Sequence, residues 1–417
     1  LKGGNGDGDR SEVRDLSDFT VYTTNGEVGR RWEILYRLVN RCNDVIYYAP
    51  KAQGDKELLA RYVLEAKALR AFGYYCLVTS FGDVPLITEP KLPSEVLTIP
   101  RSSSEEVYKQ IIQDLEDASD LPAKKEYAEA DVYRVTRGFA KTMLAKTYMF
   151  RGDFVSAETV LHDIVEVDKD YELLDNYGWN WFPEYENSSE SIFELPNKVY
   201  DKNIGTGTNV PHFFTSRTSI GYDGYGFHVP TKDLYDAFDP DDPRITYIFT
   251  QTGDQYVGDE NPQNNSDSET GFNDYKMTVP TKDKVGFDNW MISYNIRMIR
   301  YSDVLLMYAE AVVMGGKATA NITPLEAINK VRDRVGVPHV TEANMRTIED
   351  ERILELTYEG FRFFDLLRWG KVVERFRELE NTDPLFKRFS RAQYMGFKEN
   401  KNEWVPLPID EVEGNPY

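Results

Sequence analysis

Three carboxylates recur at intervals of four in ERILELTYEGFRFFDLLRWGK, residues 351–371: Glu351, Glu355 and Glu359. Two such groups flanking a cleft are the machinery of glycoside hydrolysis. The same stretch carries Arg352, Arg362, Asp365 and Arg368 at spacings that pair charges along a helix, with Phe361, Phe363, Phe364 and Trp369 beside them. A helix so crowded with rings buries its charges, and buried charges need partners. The expectation is an ion-pair network on one helical face, not an acid and a base. FDPDDPRI (238–245) offers Asp239, Asp241 and Asp242. It lacks the glycine and distal glutamate of a calcium loop and reads as Asp-Pro turns. His162, His212, His228 and His339 show no ligand spacing. No Ser/His/Asp set, HExxH, phosphate-binding loop or GxGxxG opening a helix is visible. No catalytic residue, cofactor or metal is therefore expected.

What remains is a concentration of rings. The chain holds Tyr 27, Phe 22 and Trp 6, and twelve aromatics fall within the 55 residues 176–230, among Gly, Asn, Pro and Ser without a helical period. Sugars stack their C–H faces on such rings, while their hydroxyls take Asn, Asp and Arg. The run Gly221-Tyr222-Asp223-Gly224-Tyr225-Gly226-Phe227 sets rings in a Gly-rich loop, and Trp179 and Trp290 have similar settings. Tyr222, Asp223, Tyr225, Trp290 and Trp179 are the candidate glycan contacts. Trp181 and Phe182 are assigned to the core.

These residues must be held by helices. Leu59, Tyr62, Val63, Ala66, Leu69, Gly73, Cys76 and Leu77 form a stripe over 57–80. Ser103 and Glu106 stand at capping-box spacing before a helix over 103–118. Residues 136–150 and 154–167 read as a tetratricopeptide-like (TPR) pair: Leu144, Ala145, Tyr148, Ala157 and Leu161 take the repeat's slots, with a turn at Gly152-Asp153. Lys141 stands where the repeat prefers Trp. A second pair follows at 301–335, its later helix opening with Thr323, Pro324 and Glu326. Residues 170–297 break the period and read as loops and short strands. The fold class is thus mainly α: a TPR-like helical scaffold with a long loop-rich, partly β insertion. The segments are an extended 1–29, helical pairs over 30–169, a ligand-binding insertion over 170–297, a pair plus charged aromatic helix over 298–372, and an irregular 373–417.

A length of 417 residues predicts two or three packed units. Forty-one per cent hydrophobic and 29% charged residues exclude a disordered or fibrous chain. A net charge of −21 without a basic stripe argues against nucleic acid. No apolar run reaches the length of a spanning helix. Cys42 and Cys76 lie in helical patterns and read as buried free thiols, with a single bridge as the alternative.

Taken together, LYRLVNRCNDVI (35–46), EAKALRAFGYYCLVTSFGDVPLI (65–87), RVTRGFAKTMLAKTYMFRGDFVSAE (134–158), ESIFELPN (190–197), DPDDPR (239–244), IRYSDVLLMYAEAV (299–312), INKVRDRVGVP (328–338), residues 351–371 and PLPIDEVEGNP (406–416) resemble the SusD/RagB outer-membrane nutrient-binding lipoproteins of the Bacteroidetes. The resemblance covers nearly the whole chain. It implies a TPR scaffold with a variable loop-rich half, and a lipidated protein on the outer face of the outer membrane. It further implies the role of cap on a SusC-like TonB-dependent transporter, delivering oligosaccharide without chemistry of its own. The family's charged helix is structural, and its glycan sites come from variable loops, so no binding residue carries over. The chain begins at Leu1 rather than Met, as a processed form would, so anchoring is an inference from the resemblance. Two other readings stay open: the same role for a peptide or another nutrient, and a glycoside hydrolase using loop carboxylates such as Asp223 and Asp288.

Overall fold

The computed structural model describes residues 11–17, 19–201, 204–216, 224–255, 268, 270–278, 292–382 and 397–414. The chain forms two compact units. One, the helical unit, takes 21–170, 314–321 and 397–417; the other, the mixed unit, takes 1–20, 171–313 and 322–396.

The helical unit is built on α1 (Gly26–Tyr48), α2 (Lys56–Phe81), α3 (Ser104–Ala118), α4 (Arg137–Phe150) and α5 (Phe154–His162). Each start is capped by a side chain: Asn25, Asp55, Ser103, Thr136 and Asp153 accept from backbone N–H groups of the first turn. Such caps satisfy donors the helix itself cannot, each worth about 1 kcal/mol. The box foreseen at Ser103 and Glu106 is complete. At Gly73 a Cβ would stand 3.2 Å from Val39 Cγ2, so glycine sets how closely α2 approaches α1. Between them the buried Arg70 grips Asp114 at 2.7 and 2.8 Å and reaches Asn43 and the Thr88 carbonyl. That guanidinium joins α1, α2 and α3. Lys141 on α4 bridges Asp163 and Asp168 at 3.2 and 2.9 Å, a role a Trp there could not fill. Residues 314–321 are clamped to this unit, with Thr319 donating to Glu158 and Asn321 to Glu166. Cys42 and Cys76 are free thiols and form no bridge.

The mixed unit contains β1 (Ser191–Leu195), β2 (Phe249–Gln251), β3 (Phe272–Asp274) and β4 (Ile296–Arg300), paired antiparallel as β1 with β4 and β2 with β3. Its helices are α6 (Tyr301–Val313), α7 (Pro324–Val335), α8 (Met345–Leu356), α9 (Arg362–Arg368) and α10 (Val372–Thr382). α6 is buried on every side from Tyr301 to Ala311, the burial of a central core helix. α7 carries the Thr323/Glu326 capping box and ends at Gly336, φ +71°. One expectation is corrected. Residues 351–371 are not one helix, because α8 stops at Leu356. Tyr358 and Gly360 then adopt φ +68° and +84°, which turns the chain before α9 begins. Left-handed φ at two positions ends any right-handed helix.

Candidate functional site

The aromatic stretch of the mixed unit begins with two short 3₁₀ turns, Tyr177–Trp181 and Pro183–Tyr185. Asn176 opens the first, its Oδ1 accepting from Gly178 N at 2.8 Å. At three residues per turn, the rings of Tyr177, Trp179 and Trp181 leave the turn in three different directions. Tyr177 and Trp181 go inward and are buried, whereas Trp179 is half-buried and stacks on Tyr185, ring centres 4.7 Å apart and planes within 5°. Phe182, expected in the core, is only half-buried. The backbone under this pair is pinned from three sides. Asn180 Nδ2 donates to Glu190 at 3.0 Å, Arg297 Nη2 to the Phe182 carbonyl at 2.9 Å, and Tyr177 OH to the Glu355 carbonyl at 3.2 Å. Gly178 is obligatory, since a Cβ there would lie 2.1 Å from the Tyr247 ring.

Beneath the pinned turn lies the ion network. Arg300 contacts Glu190, Glu355 and Glu359; Arg334 contacts Glu190 and Glu355; Arg244 contacts Asp242, Glu351 and Glu355. Lys276 holds Glu359 at 2.7 Å, and Arg332 closes on Glu351. The two signs balance: Arg244, Lys276, Arg300, Arg332 and Arg334 face Asp242, Glu190, Glu351, Glu355 and Glu359. Trp181 and Tyr177 lie against the cations, with Lys276 Nζ 4.6 Å from the Trp181 ring and Arg334 5.1 Å from the Tyr177 ring. The inward rings thus rest on a charged floor that fixes the outward ones. Burial alone would raise Glu355, but Arg334, Arg300 and Arg244 hold it well below the usual carboxylate range. Burial lowers Lys276 to about 8 against the pull of Glu359.

This arrangement decides the role of the 351–371 carboxylates. Glu351, Glu355 and Glu359 converge on shared cations, as the network reading anticipates, although Glu359 arrives through a turn and not along a helical face. All three are fully buried, so none has the access that an acid catalyst needs, and the arginines around Glu355 push its pKa down where such a catalyst needs it raised. Arg352 and Arg368 pair within the segment, through Asp365, and also reach Asp303 and Glu310 on α6. Asp239 forms the expected turn, accepting from Asp241 N at 3.0 Å, while Asp242 serves the network. No group of His, Cys, Asp and Glu that could hold a metal occurs among the described residues.

A second aromatic cluster is made by the short helix Val210–Phe214 and residues 224–230. Tyr225 is half-buried and stacks on Phe213 at 5.5 Å, and Phe227 joins them from the core side. Three backbone bonds zip this extended segment to the helix and the residue after it: Tyr225 N to His212 O, Gly226 N to Thr215 O and Phe227 N to Phe213 O, at 2.7–2.9 Å. Gly224 makes the approach possible, because a Cβ would fall 2.1 Å from the Thr215 carbonyl oxygen. Of the candidate contacts, then, Trp179 and Tyr225 sit in two separate ring clusters. Tyr222, Asp223 and Trp290, together with Asp288, lie outside the described residues. Sequence reasoning missed Tyr185 as the partner of Trp179. The signal was available, since a six-residue step across Pro183 brings two ring-bearing turns together.

The model of the SusD family matches residues 189–417, more than half of the chain. The chain belongs to the SusD family. A second model, described as starch-binding associating with outer membrane, matches residues 9–149. The relatives of this SusD-family protein include SusD-like protein P2 of Formosa agariphila, 24% identical over 96% of this chain and 81% of the relative. A SusD-like protein of Bacteroides ovatus is 23% identical over 85% of this chain and 68% of its own. Among solved structures, a laminarin binding SusD-like protein is 28% identical with a TM-score of 0.84, covering 100% of this chain and 90% of that one. Surface glycan-binding protein A from Bacteroides fluxus is 25% identical with a TM-score of 0.82, covering 99% and 88%. No helix among the described residues is long and apolar enough to cross a membrane.

Proposed function

We propose that this SusD-family protein is a non-enzymatic, cell-surface binder of oligo- or polysaccharide that caps and feeds a SusC-like TonB-dependent transporter, held at the outer membrane by an N-terminal lipid. The observation that carries the reading is its likeness, over the full chain, to a protein named as laminarin-binding. The stacked Trp179/Tyr185 pair adds support, offering a rigid aromatic surface on a turn fixed from below. A rigid platform loses little entropy on binding, which suits a sugar whose own contacts are weak. Trp179, Tyr222, Asp223, Tyr225 and Trp290 are the proposed contacts. The sealed carboxylates of 351–371 favour binding over hydrolysis.

Affinity gel electrophoresis against laminarin and a panel of plant, host and microbial polysaccharides tests the reading. Retardation by one polymer, with its size unchanged after incubation, is expected. Cleavage of that polymer would overturn the non-enzymatic reading. Failure of every polymer and of short oligosaccharides would overturn the glycan and move the ligand to peptide.

A further inference from the structure

The residues that follow the stacked pair form a polar rim. Tyr185, Glu186 and Asn187 stand in sequence where the second 3₁₀ turn ends. Glu186 Oε1 accepts from Asn295 N at 2.8 Å and lies 3.7 Å from Arg297 Nη1. The same guanidinium donates to the Phe182 carbonyl at 2.9 Å, the oxygen that also closes the turn by accepting from Tyr185 N. Asn187 takes φ +53°, which asparagine tolerates better than most residues, and its N–H donates to Glu194 Oε1 at 2.9 Å. Glu194 Oε2 in turn accepts from Asn295 Nδ2 at 2.9 Å. The Glu186 carboxylate is therefore fixed to the same frame as the rings, tied to the turn, to β1 and to the residues that lead into β4.

Its other oxygen is left over. Glu186 Oε2 makes no hydrogen bond among the described residues, and the side chain is 20% exposed. Trp179 Nε1 and Tyr185 OH, on half-buried rings, likewise make none among the described residues. Accepting from one backbone N–H is a task that a glutamine performs as well as a glutamate. Burial moreover holds the Glu186 carboxyl above its usual range in spite of the Asn295 N–H and Arg297. The charge is carried against burial, with one oxygen left for a donor that arrives from solvent. A sugar lying on the rings turns its C–H face to them and its hydroxyls outward at the edge, where a carboxylate accepts more strongly than a neutral oxygen. A negative sugar is disfavoured there. Glu194 adds its charge to that of Glu186, Glu184 is exposed two residues away, and Arg297 is turned inward on the Phe182 and Asn295 carbonyls. Lys198, which is exposed, acts on Glu186 without forming an ion pair with it.

We propose that Glu186 contacts the ligand through Oε2 and, with Trp179 and Tyr185, confines this site to uncharged glycans. The inference rests on the glycan reading above and adds the polar contact beside the rings and the class of sugar that it admits.

The test is affinity electrophoresis of the full chain in gels holding neutral polymers (laminarin, starch, galactomannan) or anionic ones (alginate, polygalacturonate, carrageenan). Wild type is run beside Glu186→Gln, Glu184→Gln and Trp179→Ala. Glu186→Gln keeps an oxygen for Asn295 N and removes the charge, while Glu184→Gln makes the same change at an exposed neighbour. The expected result is retardation of the wild type by a neutral polymer and by no anionic one. Affinity should fall about tenfold for Glu186→Gln and for Trp179→Ala and stay at the wild-type level for Glu184→Gln, with Tm little changed. A second measurement needs no variant: carbodiimide coupling of glycine ethyl ester, mapped by mass spectrometry, should label Glu186 in the free protein and spare it when oligosaccharide of the retained polymer saturates the site. Equal labelling in the two states would overturn the contact. Full retardation of Glu186→Gln with loss for Trp179→Ala would overturn the carboxylate's part and leave the ring platform. Full retardation of both variants would overturn this site and leave the glycan reading standing. Retardation of the wild type by an anionic polymer would overturn the selection. A wild type that binds no polymer and no short oligosaccharide would overturn the glycan reading and this inference with it.

Discussion

Replacing Glu355 by glutamine removes one negative charge from the centre of the ion network while keeping its shape. Glu355 meets Arg300 at 3.0 Å and Arg244 at 3.4 Å, and accepts from Arg334 as well. All four side chains are buried, so water cannot replace the lost charge. Three guanidiniums would share one carboxylate fewer, and the glutamine amide would point donors at donors. Removing one partner from a buried ionic cluster costs about 3–5 kcal/mol. The matched change Glu33→Gln breaks an exposed pair with Arg37 and should cost under ~1 kcal/mol. Urea unfolding followed by tryptophan fluorescence suits the comparison, because Trp181 lies 5.3 Å from the Arg300 guanidinium and reports on this unit. The transition of the mixed unit should move to much lower urea for Glu355→Gln alone. Equal shifts for the two variants would refute the view that this network holds the aromatic turn. The pH sign follows from the depressed Glu355 pKa. Its contribution is complete above the ordinary carboxylate range and is lost as pH falls through the lower folded value.

Three further outcomes are expected. Gly178→Ala and Gly224→Ala should each destabilise by about 1–3 kcal/mol or more, read as a fall in Tm, with Gly224 the worse because its obstacle is a backbone carbonyl that cannot swing aside. Trp179→Ala should weaken retardation by the retained polysaccharide about tenfold, roughly 1.4 kcal/mol, with Tm little changed. Burial raises Asp274 to about 8, with Lys276 pulling it down and with Tyr294 and Tyr358 nearby. A carboxyl raised in the folded state stabilises fully below its unfolded value, and that contribution disappears as pH climbs towards 8. Against Asp274→Asn, the wild type should therefore lose stability between pH 4 and 8 by up to ~1.4 kcal/mol per unit in chemical denaturation, and parallel pH curves would exclude the effect.

The helices were legible because their information is local. A stripe every three or four residues, Ser103 with Glu106, and Thr323 with Glu326 all lie within one or two turns, and each appears where read. The break at Tyr358–Gly360 was not, because the run of rings and charges around it keeps a helical period that the glycine's φ of +84° interrupts. The network was legible only as a need for partners. Glu355 shows that it must be paired, yet Arg300 and Arg334 stand 55 and 21 residues away, and no local pattern points to either. An arginine between Ile299 and Tyr301 on β4 was the available hint, since a charge inside an apolar strand is seldom solvated. For the ring platform, composition located the region and tertiary contacts chose its members, sending Trp181 down onto cations and leaving Trp179 to stack on Tyr185.

The span of the network also means that its partners are synthesised far apart. Glu190 pairs with Arg300, 110 residues later, and with Arg334, 144 residues later. At roughly 5–20 residues per second, Glu190 is synthesised about 7–29 s before Arg334. Until Arg300 and Arg334 are in place Glu190 lacks its cationic partners, and a carboxylate without them is costly to bury beside the aromatic-rich stretch. The charge that locks the turn therefore opposes its burial until both arginines have come into place.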